Sequence, residues 1–210
     1  KIANMNKLLK ISLKYAANFE KLLELDSQRV NLKKERLFDL RDYLIGISIE
    51  YQPLIRKKCI SIRVNDQTAN DVNLYADKEL FYHAIANIID NTVKYSFSPE
   101  EREKLGLQAK PYYYEDKENV LITAKEKNKS VVITISSYGL EILENERDKI
   151  FDKEFRGVKA KERFNVGAGI GLYIARKIVE LHKGNIELVP NTHKYNTVFK
   201  ITLPKGEVDR

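Results

Sequence analysis

The sequence has almost no cysteine and no long apolar run. Its one cysteine, Cys59, excludes a disulfide within the chain and a zinc site built from several thiolates. No apolar stretch approaches the roughly 18 residues of a membrane span, and no signal peptide is recognisable. With 43% hydrophobic and 32% charged residues, the 210-residue chain is typical of one or two packed domains and not of a disordered protein. Because it begins at Lys1, we expect a fragment of a longer protein.

The excess of positive charge does not identify a partner by itself. The chain carries 37 basic and 30 acidic residues, a formal charge of +7 and an isoelectric point near 9.2. Such a balance is compatible with nucleic acid, acidic lipid or an anionic ligand. The lysines are interspersed with acidic residues, as in residues 125–127, which favours a solvated lysine-rich surface over a nucleic-acid-binding stripe. Nucleic-acid binding is the weakest hypothesis, because no motif for it is present.

The first thirty residues have the pattern of one helix with a narrow apolar seam. Spacings of three and four residues alternate along the seam, as in a helix of a coiled coil or bundle. Its members are Ile2, Met5, Leu9, Ser12, Ala16, Phe19 and Leu23. A seam this narrow cannot form a core alone, so we expect a partner helix from outside this chain or from a second copy. A surface helix lying on the rest of the domain is the alternative.

The rest of the chain alternates helical patterns with pairs of strands, which predicts an α+β fold with helices on one face of a mixed sheet. Asp39 and Asp77 are predicted N-caps, Pro53 interrupts the first helix after Asp39, and Gly184 is the predicted C-cap of the last helix. The predicted helices cover residues 40–57, 78–95 and 169–182. The predicted extended segments cover residues 31–38, 60–64, 72–76, 120–126, 131–136, 185–189 and 195–203.

Three glycines open the last predicted helix. Gly167, Gly169 and Gly171 let bare backbone approach a ligand, and the free amides at a helix start attract an anion. A Rossmann loop is the competing interpretation. It fails because the spacing is G-x-G-x-G and because residues 156–165 are charged, unlike a buried strand. A Walker loop fails because no Gly-Lys-Ser/Thr follows. The pattern indicates phosphate binding by the start of a helix.

One face of the helix at 78–95 carries amides beside a cation. His83, Asn87 and Asn91 follow each other at intervals of four residues, and Lys94 and Tyr95 extend the same face. Amides are poor choices for a helix interior, because they compete with the backbone for hydrogen bonds. They are explained if they meet a ligand such as Mg²⁺, which accepts amide oxygens and bridges to phosphates. The alternative is a polar outer face of a surface helix.

Four segments together resemble the sensor histidine kinases, in the wider superfamily of gyrase, Hsp90 and MutL ATPases. Residues 87–96, Asn-Ile-Ile-Asp-Asn-Thr-Val-Lys-Tyr-Ser, look like the N box, and residues 167–184 look like the G2 box with its helix. Residues 150–157, Ile-Phe-Asp-Lys-Glu-Phe-Arg-Gly, resemble the F box, and residues 197–204 resemble the last strand. The resemblance covers nearly the whole chain, and the order and spacing of the motifs make it specific.

The resemblance implies a Bergerat ATP-binding fold, a two-layer α/β sandwich, over residues 31–210. Residues 1–30 resemble the C-terminal helix of a dimerisation and phosphotransfer domain, and residues 152–166 resemble a mobile lid. The implied function is to position Mg-ATP for phosphoryl transfer to a histidine on the adjacent helical bundle. Asn87 and Asn91 are implied to face Mg²⁺, with Asn91 favoured as the direct ligand. The residues implied to bind ATP are Asn87, Asn91, Lys94, Tyr95, Ser137, Gly139, Gly167, Gly169, Gly171, Leu172 and Thr197.

The G1 box departs from the family's Asp-x-Gly-x-Gly pattern, because this chain has Ser-Tyr-Gly-Leu-Glu at residues 137–141. The family's aspartate accepts a hydrogen bond from the adenine amino group and defines the base. Ser137 offers a shorter, neutral acceptor, so we expect adenine binding to be weaker by about 1–2 kcal/mol. The resemblance places Thr197 near the family's hydroxyl position, and we expect it to compensate in part. Glu141 replaces a glycine, so the base of the lid is expected to run differently.

The connection over residues 97–118 is longer than is usual in the family, and long irregular connections are often functional or disordered. It contains three consecutive tyrosines at residues 112–114. We expect this run to cover apolar surface, with contact to the pocket edge or a partner as the alternative.

No histidine of the chain fits the family's phosphoacceptor motif. His83, His182 and His193 lack the motif around them, so each is expected to be structural. We expect the chain to bind nucleotide but not to autophosphorylate alone. The resemblance implies two partners, which are dimerisation helices of the same or a second copy and the receiver domain of a response regulator. It also implies a cytoplasmic location, including the cytoplasmic part of a membrane-anchored parent.

A degenerate module is the alternative to an active ATP-binding domain. Ser137 and Glu141 motivate it, and the module would act by dimerisation and partner contacts with weak or lost nucleotide binding. The amides at 87 and 91, Lys94 and the three glycines favour the active domain, because lost binding would leave no chemical reason for them.

Overall fold

The computed structural model describes residues 2–27, 30–37, 39–65, 72, 74–106, 119–190 and 195–205. Within these ranges it has the mixed α+β composition that the sequence predicts. The helices are α1 (Ile2–Asp26), α2 (Leu40–Glu50), α3 (Gln52–Lys58), α4 (Lys78–Tyr95), α5 (Pro99–Lys104), α6 (Val158–Arg163) and α7 (Gly171–Leu181), with 3₁₀ turns at Glu144–Glu146 and Lys149–Phe151. The strands are β1 (Lys34–Leu37), β2 (Ile62–Val64), β3 (Leu74–Asp77), β4 (Val120–Lys127), β5 (Ser130–Ser137), β6 (Asn185–Val189) and β7 (Thr197–Pro204).

The main sheet has five strands in the order β2-β4-β5-β7-β6. β2 and β4 are parallel, whereas the other neighbours are antiparallel, so the sheet is mixed as predicted. β1 and β3 form a separate antiparallel pair. This arrangement brings the C-terminal end of β5 beside the start of β7, where the G1-like segment and Thr197 meet.

The two faces of the main sheet differ in polarity, because side chains alternate along each strand. Ile133 and Ile135 of β5 are fully buried beneath helix α4. On the opposite face, the hydroxyls of Thr123 and Thr134 lie 2.5 Å apart across β4 and β5. Helices α4 and α7 pack against each other and cover the apolar face. The result is a two-layer α/β sandwich.

Helix α4 has the boundaries that its sequence predicts. The side chain of Asp77 accepts a hydrogen bond from the backbone N–H of Leu80 at 3.1 Å, which satisfies one of the free donors at the helix start. Apolar residues at intervals of three and four turn one side of the helix into the core. They are Leu80, Phe81, Ala84, Ile85, Ile88, Ile89 and Val93. This burial fixes the rotation of α4 and therefore the direction of its polar face.

Helix α1 lies on the rest of the fold through a side other than its predicted seam. Leu22 and Leu25 near its C-terminal end are buried, and the helix contacts α7. The seam residues Phe19 and Leu23 remain 57% and 56% exposed. The surface-helix alternative therefore describes the C-terminal part of α1, while Phe19 and Leu23 of the seam stay largely exposed.

The helix predicted over residues 40–57 is two helices. α2 ends at Glu50, and α3 begins at Gln52 with Pro53 in its first turn. Proline is tolerated there because the first helical N–H groups have no partner within the helix. Pro53 therefore marks a helix start, two residues after the break.

Gly184, the predicted C-cap, lies two residues after the observed C-cap residue His182 of α7. Lys183 has the positive φ of 59°, whereas Gly184 is required by space. A Cβ at Gly184 would lie 2.6 Å from the carbonyl oxygen of Thr202 and from a methyl carbon of Leu203. The glycine lets the turn after α7 lie directly on β7, and this need was not visible in the local sequence.

The tyrosines at 112–114 and His193 lie outside the described residues. Among the residues that are described, no helix is both long enough and apolar enough to cross a membrane.

Candidate functional site

Two asparagines of α4 face the glycine that begins α7. A Cβ built on Gly171 would lie 3.1 Å from Oδ1 of Asn87 and 3.7 Å from Nδ2 of Asn91. The residues are separated by 80 or more positions in sequence, and the packing of α4 on α7 brings them together. The amide face and the glycine motif, which were predicted separately, therefore share one site.

The amide of Asn87 is oriented by its own helix. Its Nδ2 donates a hydrogen bond to the carbonyl oxygen of His83 at 3.0 Å, and the side chain is buried. Its Oδ1 is consequently the atom that is directed at Gly171. His83 contributes a carbonyl oxygen here. Burial, followed by the nearby Lys21 ammonium, lowers the pKa of the His83 imidazole.

The start of α7 offers uncapped backbone donors. Ile170 occupies the N-cap position, and among the described residues no side chain forms a cap hydrogen bond with the helix start. The first N–H groups of a helix lack partners within it, and the helix dipole adds partial positive charge there. Leu172, in the same turn, is half-buried against the core and anchors the helix start. A phosphate group is the kind of ligand that such a helix start accepts.

The other two glycines bring the loop before α7 against residues 154–156. These residues begin the lid-like segment, residues 152–166, which is called the lid. Gly169 has φ of 71°, and a Cβ there would lie 2.7 Å from the carbonyl oxygen of Phe155. Gly167 lies beside the guanidinium of Arg156, with Nε 3.1 Å from an added Cβ. Gly169 excludes a larger residue, because it meets backbone atoms and has a positive φ, whereas the Arg156 side chain beside Gly167 can move. The glycine at 169 therefore lets the loop lie directly on the backbone of residues 154 and 155.

Lys94 and Tyr95 are covered by the end of the lid. The Lys94 ammonium lies 3.4 Å from the carbonyl oxygen of Val166 and 5.1 Å from the ring centres of both Tyr95 and Phe164. The rings of Tyr95 and Phe164 meet edge to face at 5.6 Å. The cation predicted to meet phosphate therefore sits between α4 and the lid.

Arg163 docks the lid helix α6 on the segment after α4. It forms an ion pair with Glu101 and lies over the ring of Phe97 at 5.0 Å. The opposite end of α6 is joined to the G1-like segment, because Lys159 forms an ion pair with Glu141 at 2.8 Å. Glu141, which replaces a glycine of the family pattern, thus has a direct contact with the lid.

Ser137 and Thr197 are neighbours at the end of the site away from the glycine loop. They are register partners on β5 and β7, so their side chains share the face that the helices cover. Both are buried, and the Thr197 hydroxyl lies 3.4 Å from the carbonyl oxygen of Leu140. Two hydroxyl groups therefore stand where the family pattern has a carboxylate and a hydroxyl.

Gly139 is fixed by close contact with the end of α4. Its backbone pairs with Ser96, and an added Cβ would lie 2.4 Å from the carbonyl oxygen of Tyr95. The side chain of Asn196 bonds to both the N–H and the carbonyl of Gly139. The prediction missed Asn196, because no motif included it.

His182 has a structural position. Its Nε2 accepts a hydrogen bond from the backbone N–H of Asp77 at 2.9 Å, so Nδ1 carries the proton and donates to the carbonyl oxygen of Ile178 at 2.7 Å. The buried imidazole therefore joins the end of α7 to the start of α4.

The described residues include no cluster of three or more histidine, cysteine, aspartate or glutamate side chains that could hold a metal ion. A metal at this site would depend on the oxygen atoms of Asn87 and Asn91 and on oxygens of the ligand. Mg²⁺ fits this donor set, because it usually binds few protein ligands and completes its shell with water and phosphate.

Two cavities lie on the α1 side of α4. One of about 790 Å³ is lined by residues including Lys21, Glu24 and Asp77, and one of about 380 Å³ lies between Asn18 and His83. Neither contains the glycine loop or the Ser137–Thr197 pair. The smaller cavity is lined by Asn87, so it borders the asparagine side of the site.

A two-layer sandwich in which a glycine-opened helix faces paired asparagines defines an ATP-binding domain of the Bergerat type. Residues 76–207 match the family of histidine kinase-, DNA gyrase B- and HSP90-like ATPases, and the chain belongs to this family.

The most similar proteins include sensor kinases. The chain is 25% identical over 202 residues to the signal transduction histidine-protein kinase ArlS of Staphylococcus aureus, with 94% of this chain and 44% of ArlS covered. It spans between 20% and 44% of the length of such curated relatives. The predicted resemblance to sensor histidine kinases is thereby confirmed.

Solved structures of histidine kinases have the same fold. Full-length ShkA in complex with AMPPNP gives a TM-score of 0.69 at 16% identity, covering 91% of this chain and 35% of ShkA. Histidine kinase ThkA in complex with the response regulator protein TrrA gives 0.65 at 21% identity, covering 98% and 51%. These similarities confirm the predicted α+β sandwich of the ATP-binding domain.

Proposed function

We propose that the chain is the ATP-binding catalytic domain of a sensor histidine kinase, which positions Mg-ATP for phosphoryl transfer to a histidine on an adjacent helical bundle. One observation carries the proposal. The amides of Asn87 and Asn91 lie beside Gly171, at a helix start that no side chain caps in the described part of the chain. Phosphoryl transfer needs mainly positioning and neutralisation of charge, and these groups can supply both.

Each group at the phosphate end has a distinct role in the proposal. Asn91, with Asn87 beside it, presents amide oxygen to Mg²⁺, and bound Mg²⁺ neutralises phosphate charge. The uncapped start of α7, with Gly167 and Gly169 before it, receives the phosphates. Lys94 adds positive charge after it leaves the carbonyl oxygen of Val166, a contact that is already long at 3.4 Å.

The hydroxyls of Ser137 and Thr197 form the proposed base contact, with Gly139 closing the turn and Tyr95 beside the ribose. A hydroxyl both donates and accepts, whereas a carboxylate only accepts. Adenine presents an amino donor where guanine presents a carbonyl acceptor. Replacement of the family's aspartate by Ser137 therefore weakens adenine binding and relaxes the choice of base.

The domain organisation belongs to the same proposal. We assign residues 31–210 to the catalytic domain and residues 1–30 to the C-terminal helix of a dimerisation and phosphotransfer domain. The exposed seam residues Phe19 and Leu23 support a partner helix from the same parent or a second copy. A homodimeric, cytoplasmic or membrane-anchored parent fits this assignment.

The proposed downstream partner is the receiver domain of a response regulator, as in the complex of ThkA with TrrA. None of the three histidines of the chain has the phosphoacceptor motif, so the chain by itself would bind nucleotide without autophosphorylating. A degenerate module is not favoured, because the amides of Asn87 and Asn91 lie beside the start of α7, as nucleotide binding would require.

Calorimetric titration with AMPPNP tests the proposal, with and without Mg²⁺ and with a GTP analogue in parallel. We expect Mg²⁺-dependent binding that Asn91→Ala abolishes. Asn185→Ala, which removes an exposed asparagine at the start of β6, is the matched control and should bind like the wild type. Absence of binding at saturating nucleotide in the wild-type chain would contradict the proposed function.

A further inference from the structure

Lys58 caps the C-terminal end of helix α4. Its ammonium nitrogen lies 2.9 Å from the carbonyl oxygens of Val93 and Lys94 and 2.8 Å from that of Ser96. Carbonyl groups in the last turn of a helix have no partner within the helix. An ammonium group has three N–H donors, and Lys58 uses one for each of these carbonyls.

The path of the chain brings Lys58 to this position. It is the last residue of α3, and the next residue, Cys59, turns the backbone with φ of 52°. The backbone N–H of Ile60 then bonds to the carbonyl oxygen of Ile55 at 3.2 Å. A positive charge at a helix C-terminus is favoured by the helix dipole. The neighbouring Lys57 is exposed, so only one of the two adjacent lysines has this role.

The same turn of α4 is held from the nucleotide site. The Tyr95 carbonyl accepts a hydrogen bond from the N–H of Leu140 at 2.9 Å, and Phe97 N–H donates to the carbonyl oxygen of Tyr138 at 3.2 Å. The turn thus lies between Lys58 on one side and the G1-like segment on the other. It carries the side chains of Lys94 and Tyr95, which the proposed function assigns to phosphate and ribose.

Two charged side chains face Lys58 from neighbouring elements. Burial lowers the pKa of Lys58 to about 8, while Glu101 of α5 raises it and Arg163 of the lid helix lowers it. Glu101 is itself engaged by Arg163 and by the N–H of Ser98. Loss of a proton would leave Lys58 with two N–H donors for three carbonyls and would remove its charge from the helix end.

We propose that Lys58 is a positioning residue of the nucleotide site, which holds the last turn of α4 so that Lys94 and Tyr95 are directed at the nucleotide. The proposal rests on the proposed function for the identity of the ligand. It goes further because Lys58 belongs to none of the motifs and acts through the backbone carbonyls of α4. A purely structural cap would stabilise the fold without changing nucleotide affinity in the folded protein.

Binding of Mg-AMPPNP to the whole 210-residue chain separates these roles. Lys58→Met keeps a long apolar stem but removes the donors, and we expect it to weaken binding about tenfold. Lys57→Met is the matched control and should bind within about twofold of the wild type. Melting curves verify that each protein is folded at the titration temperature.

The pH profile gives a second signature. Wild-type affinity should fall as pH rises through about 8, where Lys58 loses its proton. Lys58→Met should bind weakly at every pH. Lys58→Arg should bind better than Lys58→Met and should not lose affinity in this range, because arginine remains charged.

Amide hydrogen exchange tests the positional role without nucleotide. Lys58→Met should raise the exchange rates of Ser96, Phe97 and Leu140, whose N–H groups bond around the turn, and leave Ile133 in the centre of β5 unchanged. Unchanged exchange at the turn overturns the proposal. Faster exchange with wild-type affinity also overturns it, because Lys58 is then only a structural cap. If the wild-type chain itself fails to bind, it is the proposed function that fails.

Discussion

The side-chain amide of Asn196 forms hydrogen bonds with both the N–H and the carbonyl group of Gly139. Oδ1 of Asn196 accepts a hydrogen bond from the Gly139 N–H at 2.9 Å, and Nδ2 donates to the Gly139 carbonyl. Asn196 immediately precedes Thr197 at the start of β7, and Gly139 follows Ser137 at the end of β5. The clamp therefore fixes the distance between the two segments that carry the proposed base contacts.

Replacement of Asn196 by alanine should destabilise the protein and weaken nucleotide binding. The change leaves the N–H and carbonyl of Gly139 without this partner, and we expect a loss of about 1–3 kcal/mol in the free energy of unfolding. Urea denaturation measures it, with Asn185→Ala as the exposed control. Equal stability of Asn196→Ala and the wild type would show that water replaces the clamp without cost.

Replacement of Gly139 by alanine should be more disruptive than the same change at Gly46. A Cβ at Gly139 would lie 2.4 Å from the Tyr95 carbonyl oxygen, so the end of α4 must move, at a cost of about 2–3 kcal/mol or more. Gly46 lies in α2, and apart from its own helix backbone and chain neighbours no described atom lies within 4 Å of an added Cβ. Alanine there should stabilise by about 0.5–1 kcal/mol, because it favours the helix. Thermal or urea denaturation of the two variants compares these effects, and similar stabilities would contradict this account of Gly139.

Replacement of Ser137 by aspartate should sharpen the choice of base. A carboxylate accepts a charge-assisted hydrogen bond from the adenine amino group and repels the guanine carbonyl, so the affinity ratio of ATP to GTP analogues should rise about tenfold. The ratio is measured by paired titrations, because any loss of folded protein affects both nucleotides equally. Ser130→Asp, at the far end of β5, is the control, and an unchanged ratio for Ser137→Asp would place the base elsewhere.

Stability should fall below neutral pH partly through His83. Burial, with a smaller effect of Lys21, lowers the pKa of His83 in the folded state below its ordinary value of 6.5. The unfolded chain therefore takes up the proton first, so this contribution is complete above about pH 6.5 and is lost as pH falls through the folded-state pKa. Urea denaturation at about pH 7.5 and about pH 5 should show a smaller loss for His83→Gln than for the wild type. Equal losses would exclude His83 as the cause.

The local features of the site could be predicted because their information lies within a few residues. Asp77 and the apolar residues after it define α4 through hydrogen bonds and contacts one helical turn apart. The spacing of the glycines at 167, 169 and 171 likewise predicts that the backbone of this loop approaches other atoms closely. Such features depend on neighbours in sequence, so the motif order was enough to predict the family and fold.

The partners of Lys58 and Asn196 could not be predicted in this way. Lys58 bonds to carbonyls 35 to 38 residues away, and Asn196 bonds to a backbone 57 residues away. Lys58 ends a run of three basic residues, which by itself is typical of a solvated helix end. Backbone carbonyls have no sequence signature, so side chains that cap them are visible only after the helices and strands are assembled.

Hydrophobic periodicity and glycine positions act locally, so they were enough to predict the strands of the main sheet, helices α4 and α7 and the two polar motifs. Tertiary packing alone decided that Leu22 and Leu25, and not the predicted seam, join α1 to the domain. It also decided that Lys183 takes the left-handed turn while Gly184 makes room for β7. In each case the outcome depends on the space and the backbone groups that segments distant in sequence present to the residue. These surroundings exist only in the folded chain.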